Sequence, residues 1–116
     1  MRYVSNSDMV DPAAGAGCRA MLSLGHDEYW DMRQFEAVTA LRDAGMSLLF
    51  LSGNSVCWVS PLRGGLGGRR TLSRAGRYGD QAHAGARDAV ERFGPFPITG
   101  NPDEGLLMGA RSHGRR

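Results

Sequence analysis

Four neighbouring side chains behind a short apolar segment are of types that bind metal ions or transfer protons. They are His26, Asp27, Glu28 and Tyr29, within the run SLGHDEYW. An imidazole and a carboxylate held together can bind a metal ion or act as a proton-transfer pair. About two dozen residues later a second apolar segment ends in Ser-Gly-Asn, and the amide of Asn54 could donate a hydrogen bond to a developing oxyanion.

Each of these residues also has a purely structural interpretation. Alternate residues of the turn face the same way, so His26 and Glu28 are expected to converge while Asp27 points elsewhere. Asp27 and Glu28 would also suit the first turn of a helix, where carboxylates favour the positive end of the dipole. We favour the structural interpretation for Asp27. For His26 and Glu28 the structural and the chemical interpretations both stay open. Tyr29 is expected to pack beside Trp30, and Asn54 is equally a good residue for a tight turn.

The elements that position these residues form a strand–helix–strand unit. Arg19–Leu24 is predicted to be a strand, and Asp31 is a good N-cap for the helix that follows. The helical spacing of apolar residues predicts a helix that ends just before Gly45. A glycine there suits the left-handed backbone conformation that often follows a helix. Apolar residues at three-residue steps form the stripe Met32, Phe35, Val38 and Leu41.

The second strand is predicted over Ser47–Leu51, whose near-continuous apolar run is typical of a parallel strand buried on both faces. Strand, helix and strand with tight turns predict a right-handed βαβ crossover. Parallel strands end at the same edge of a sheet, and open α/β sheets bind ligands there. We therefore expect the polar residues after both strands to share one crevice.

The chain of 116 residues divides into four predicted segments. Residues 1–60 are the α/β core, and 61–92 are a Gly/Arg-rich loop region containing a predicted short helix over Ala86–Arg92. Residues 93–111 are a C-terminal segment of the same domain, and 112–116 are a frayed tail. One crossover cannot bury both faces of its strands, so the chain is predicted to belong to a larger α/β fold.

Composition excludes several classes of function. The net charge of +2 is too small to indicate nucleic-acid binding. The Gly/Arg stretch is predicted to be a solvated loop, and its alternative interpretation is an RNA-binding segment. No apolar run approaches the length of a membrane span or a signal peptide, so we expect a cytoplasmic protein with no membrane partner. Cys18 and Cys57 lack zinc-ligand spacing, and no thiol chemistry is predicted.

Three stretches resemble the C-terminal domain of the large (β) subunit of N,N-dimethylformamidase and its relatives. They are "SLGHDEYW", the helix "DMRQFEAVTALRDAG" and "LLFLSGNSVCW". A fourth stretch, "GPFPITGNPDEGLLMGA", is similar to a late acidic segment of that family. Together they cover about half of the chain.

The resemblance implies a flavodoxin-like fold of the class I glutamine-amidotransferase type, a three-layer sandwich with a parallel sheet. It also implies a mononuclear iron held by two tyrosines and one glutamate, which hydrolyses a small formamide to an amine and formate. Glu28 matches the iron-ligand glutamate, His26 a histidine beside the iron, and Asn54 an asparagine of the substrate pocket. Glu104 matches an acidic residue that takes part in proton transfer.

One departure from the family pattern concerns the tyrosine ligands, which lie upstream of the His-x-Glu motif. Tyr3 is the one tyrosine before that motif here, and it lies in no matching motif. The chain is therefore identified as a partial or truncated member, with an incomplete fold and part of the site. The expected partners are a small amide substrate and either a second copy or a small subunit. The alternative hypothesis is a non-catalytic α/β interaction module with a degenerate site.

Overall fold

The structure is a computed structural model that describes residues 1–64, 70–72, 74, 76–77 and 104–109. The predicted helix Ala86–Arg92 and the tail 112–116 lie outside the described residues. In chain order the elements are a 3-10 helix Pro12–Gly15, β1 Ala20–Ser23, β2 Tyr29–Trp30, α1 Met32–Asp43, β3 Ser47–Phe50, β4 Trp58–Val59, β5 Leu62–Gly64, β6 Arg70–Leu72, β7 Gly76–Arg77 and α2 Glu104–Met108.

The predicted strand–helix–strand unit is confirmed. β1 and β3 pair in parallel, with Leu22 opposite Leu49, and α1 lies between them in the chain. The side chain of Asp31 caps α1 by accepting a hydrogen bond from the amide of Arg33. At the other end Gly45 has a φ of 99° and donates its amide hydrogen to the carbonyl of Arg42, which completes a Schellman motif.

The core lies between α1 and the two small parallel strand pairs. Phe35 and Val38 of the predicted stripe are buried, and Met32 and Leu41 pack against them. The core cluster brings together residues from the N-terminal turns to α2: Met9, Trp30, Phe35, Val38, Val56, Val59 and Leu107. The C-terminal segment therefore contributes Leu107 to the core formed by residues 1–60.

The prediction that β3 is buried on both faces is wrong. Its side chains alternate between exposed and half-buried, and β1 shows the same alternation before its last residue. Met21, Leu48 and Phe50 face the core, whereas the opposite side exposes Leu22, Leu24, Leu49 and Leu51, which we call the leucine face. Within the described residues the core cluster lies on one side of the β1–β3 pair, and the leucine face on the other side is exposed.

The prediction that residues 61–92 form a loop is wrong for part of this segment. β5 and β6 pair as antiparallel strands, and β7 joins β4. These short strands come from backbone pairing within a hairpin (β5–β6) and across about 20 positions (β4–β7), which the Gly/Arg composition did not indicate. β4 also pairs in parallel with β2, with Tyr29 opposite Trp58.

The described residues therefore form a small α/β domain with short parallel strand pairs and α1 as its long helix. Cys18 and Cys57 are free thiols. No helix in the described part of the chain is long and apolar enough to cross a membrane.

Candidate functional site

The loops that follow β1 and β3 meet, as expected for neighbouring parallel strands. The amide of Val56 donates a hydrogen bond to the carbonyl of Asp27 (3.0 Å). The amides of Cys57 (3.0 Å) and Trp58 (2.9 Å) donate to the carbonyl of Glu28. The loop carrying the His-x-Glu motif is thereby attached along its length to the loop carrying Asn54.

His26 and Glu28 converge, as the alternation of residues in the turn predicts. Nε2 of His26 lies 2.9 Å from Oε2 of Glu28. The imidazole is 65% exposed whereas the carboxylate side chain is 14% exposed, so water reaches the pair through the histidine. The ring of Tyr29 lies 5.9 Å from that of His26 at a tilted angle, which agrees with a packing role for Tyr29.

The second oxygen of the Glu28 carboxylate is bonded to a residue to which the sequence assigned no role. The indole Nε1 of Trp58 donates a hydrogen bond of 2.9 Å to Oε1 of Glu28. The guanidinium carbon of Arg74 lies 4.4 Å from the centre of the Trp58 ring, within cation–π distance. Trp58 is the last residue of the third stretch that resembles the family. Its place in that stretch was the sign, available in the sequence, that Trp58 belongs to the site.

Asp27 binds neighbouring groups instead of capping a helix. Its Oδ2 accepts a hydrogen bond from Ser23 (2.5 Å), and its Oδ1 accepts from Asn6 (2.9 Å) and from the indole of Trp30 (2.8 Å). The first-turn interpretation is wrong because α1 begins later, after the N-cap Asp31. Asp27 holds the end of β1 to the aromatic core, a structural role that its position next to Glu28 did not reveal.

Asn54 lies in the exposed turn between β3 and β4, with a φ of 56°. Among the described residues its side chain forms no hydrogen bond. Val56, two residues later, has a φ of 54° although it is β-branched and fully buried. Such a conformation costs about 1–3 kcal/mol, and packing together with the bond to Asp27 maintains it.

The remaining predicted site residue, Glu104, is the first residue of α2. Its side chain lies outside the described part of the structure, so its position relative to His26 and Glu28 stays a prediction.

The comparison with known families decides which family the chain represents. The family model described as N,N-dimethylformamidase beta subunit-like, C-terminal, matches residues 1–110. The chain belongs to this family. No curated protein and no solved structure matches the chain.

The donor set of this dimethylformamidase-like chain is incomplete for a metal site within the described residues. No group of three or more His, Cys, Asp or Glu side chains that could hold a metal ion occurs there. Glu28 and His26 supply one carboxylate and one imidazole, and Tyr3 is 82% exposed. In the described residues this arrangement does not by itself supply the iron site of two tyrosines and a glutamate that the resemblance implies.

Proposed function

We propose that the chain carries part of the site of an amide hydrolase of dimethylformamidase type, which converts a small formamide and water into an amine and formate. The observation that carries the proposal is the 2.9 Å contact between His26 and Glu28 at the ends of the parallel strands, in a chain that belongs to this family. The proposed substrate is a small linear amide.

The chemistry of the proposal follows from the positions of the two side chains. Hydrolysis requires removal of a proton from water and delivery of a proton to the departing amine nitrogen. His26, exposed to solvent and 2.9 Å from a half-buried carboxylate, is suited to accept and return that proton. The amide of Asn54 is proposed to donate a hydrogen bond to the oxyanion of the tetrahedral intermediate. Glu104 is proposed as a further proton-transfer group.

Iron is the proposed cofactor, with Glu28 as one ligand. Carboxylate oxygens are hard ligands, and carboxylates bind iron in other proteins. We propose that the remaining ligands lie outside the described residues, in which no group of three His, Cys, Asp or Glu side chains could hold a metal ion. We also propose the flavodoxin-like, three-layer sandwich of class I glutamine amidotransferases, in which further polypeptide covers the leucine face.

The test compares the purified wild-type chain with Glu28→Ala, both from an iron-supplied host. The matched control is Glu36→Ala, because Glu36 is an exposed carboxylate on α1. We expect the wild-type and control chains to retain iron that Glu28→Ala loses, and formate release from N,N-dimethylformamide to follow the iron content. A colourless, metal-free wild-type protein that releases no formate would contradict the proposal for this chain.

A second candidate function, a non-catalytic interaction module, is favoured by the leucine face. Its four leucines are between 42% and 65% exposed, and soluble domains seldom leave such contiguous apolar surface uncovered. The proposed occupant is another subunit with an aliphatic surface, in keeping with the description of the family as a subunit.

Size-exclusion chromatography with light scattering, together with copurification from the native host, tests this candidate. We expect Leu49→Glu to release the bound subunit, whereas Glu36→Ala retains it. Self-association of the wild type that Leu49→Glu abolishes would instead identify a second copy as the occupant. A wild type that is monomeric and free of partners would remove the candidate.

A further inference from the structure

Trp58 contacts Glu28 through both its backbone and its side chain. Its amide donates to the carbonyl of Glu28 (2.9 Å), and its indole Nε1 donates to Oε1 of the same residue (2.9 Å). Because Oε2 lies 2.9 Å from Nε2 of His26, each carboxylate oxygen has a nitrogen partner within 2.9 Å. The plane of the carboxylate is therefore defined from two sides.

We propose that Trp58 is a positioning residue that sets the orientation of the Glu28 carboxylate and so directs Oε2 towards His26. This inference rests on the proposed function, because the orientation matters for a carboxylate that binds a metal ion or transfers protons. The indole acts through Glu28, and no contact between Trp58 and a substrate is required.

The physical basis is the strength and direction of the indole hydrogen bond. A hydrogen bond to an ionised carboxylate is about twice as strong as one between neutral groups, and indole N–H can donate but not accept. Carboxylates that bind metal ions are themselves held by such surrounding donors, and loss of one donor costs about 10- to 100-fold in metal affinity. Each carboxylate oxygen has two lone pairs, so Oε1 keeps an acceptor position for a metal ion while bonded to Trp58.

The orientation of the indole is itself fixed by its surroundings. The β2–β4 pairing places Trp58 opposite Tyr29, and Val59, the next residue of β4, is buried. Arg74 lies against the indole ring, 4.4 Å from its centre. The ring is therefore held by strand pairing and by a cation on its face, and the donor direction does not depend on Glu28 alone.

The test uses the full chain with Trp58→Phe and the matched control Trp30→Phe. Trp30 also donates an indole hydrogen bond to a carboxylate, that of Asp27, but it is 1% exposed and lies in the core. A loss of folding stability alone would therefore affect Trp30→Phe at least as strongly. We expect about a tenfold weaker iron affinity in Trp58→Phe and an unchanged affinity in folded Trp30→Phe.

A second measurement separates this proposal from the proposed function, because it needs no metal. In nuclear magnetic resonance spectra, the two γ-methylene protons of Glu28 should have distinct shifts in the wild type and in Trp30→Phe. Their shift difference should shrink in Trp58→Phe as the side chain samples more rotamers. Glu28→Gln provides a second variant if Trp58→Phe fails to fold. In Glu28→Gln the indole N–H resonance of Trp58 should move upfield, while that of Trp30 stays in place.

The outcomes are distinguishable. A wild type that binds no iron but shows the expected methylene and indole shifts would contradict iron binding and leave Trp58 as the positioning residue. Unchanged Glu28 methylene signals in folded Trp58→Phe, or an unmoved Trp58 indole resonance in Glu28→Gln, would overturn the positioning role whatever the iron content.

Discussion

The indole Nε1 of Trp30 donates a hydrogen bond of 2.8 Å to Oδ1 of Asp27, three residues earlier in the chain. Trp30 is 1% exposed and belongs to the core, whereas Asp27 belongs to the loop that carries the His-x-Glu motif. This bond therefore attaches Asp27 to the core, and it shares no atom with the contacts that join Trp58, Glu28 and His26.

Removal of the Asp27 carboxylate should destabilise the fold. In Asp27→Ala the buried indole N–H of Trp30 loses its acceptor, and we expect a loss of about 2 kcal/mol in the free energy of unfolding. Asp27→Asn should cost less, because an amide oxygen can still accept from Trp30 and the Ser23 hydroxyl can accept from the amide nitrogen. Urea denaturation measures both values. Equal losses in the two variants would contradict this account of the hydrogen bonds.

The acid limb of stability should depend on Asp31. Burial alone raises the pKa of this carboxyl, but hydrogen bonds from the Arg33 side chain and the amides of Leu62 and Arg33, together with the Arg33 charge, outweigh burial and lower it below 3.8. A folded pKa below the unfolded one stabilises the protein at neutral pH, and that contribution disappears as the pH falls from about 5 through the folded pKa.

We therefore expect Asp31→Asn to lower the melting temperature at pH 7 and to flatten its decline towards low pH. Thermal unfolding across this range, with the exposed Glu36→Gln as control, provides the measurement. If the melting temperature of Asp31→Asn declined as steeply towards low pH as that of the wild type, another group would control the loss of stability in acid.

The end of α1 should depend on the absence of a side chain at Gly45. Its φ of 99° is strained for any residue with a Cβ atom, although a Cβ built there meets no atom within 4 Å. Gly45→Ala should therefore cost about 1 kcal/mol through backbone strain alone. Gly53→Ala is the matched control, because Gly53 has equally open space and an ordinary φ. We expect a change below about 0.5 kcal/mol for that control in urea denaturation.

The leucine face should contribute little to the stability of the isolated chain. Val38 is completely buried, and Val38→Ala should cost about 2 kcal/mol, whereas Leu22, which is 55% exposed, should cost less than about 1 kcal/mol on the same change. Paired urea denaturation curves decide the comparison. A cost for Leu22→Ala as large as for Val38→Ala would mean that the leucine face is covered in solution.

Local features of the fold followed from the sequence because short-range physics decides them. The N-cap at Asp31, the end of the helix at Gly45 and the apolar stripe through Phe35 and Val38 depend on residues within a few positions of one another. The approach of His26 to Glu28 belongs to the same class, because it follows from alternation within one turn.

Contacts between distant segments were decided by the tertiary structure. The residue type of Trp58 does not reveal that its indole bonds to a carboxylate 30 positions earlier, since that contact depends on the pairing of β2 with β4. Likewise, the spacing of Asp27 suggested a helix terminus, whereas its partners are Asn6, Ser23 and Trp30. The sequence by itself determined the strand–helix–strand unit and its polar loops. Only the folded chain determined that Asp27 is bonded to Asn6, Ser23 and Trp30 and that Trp58 is bonded to Glu28, because those donors come together from separate segments.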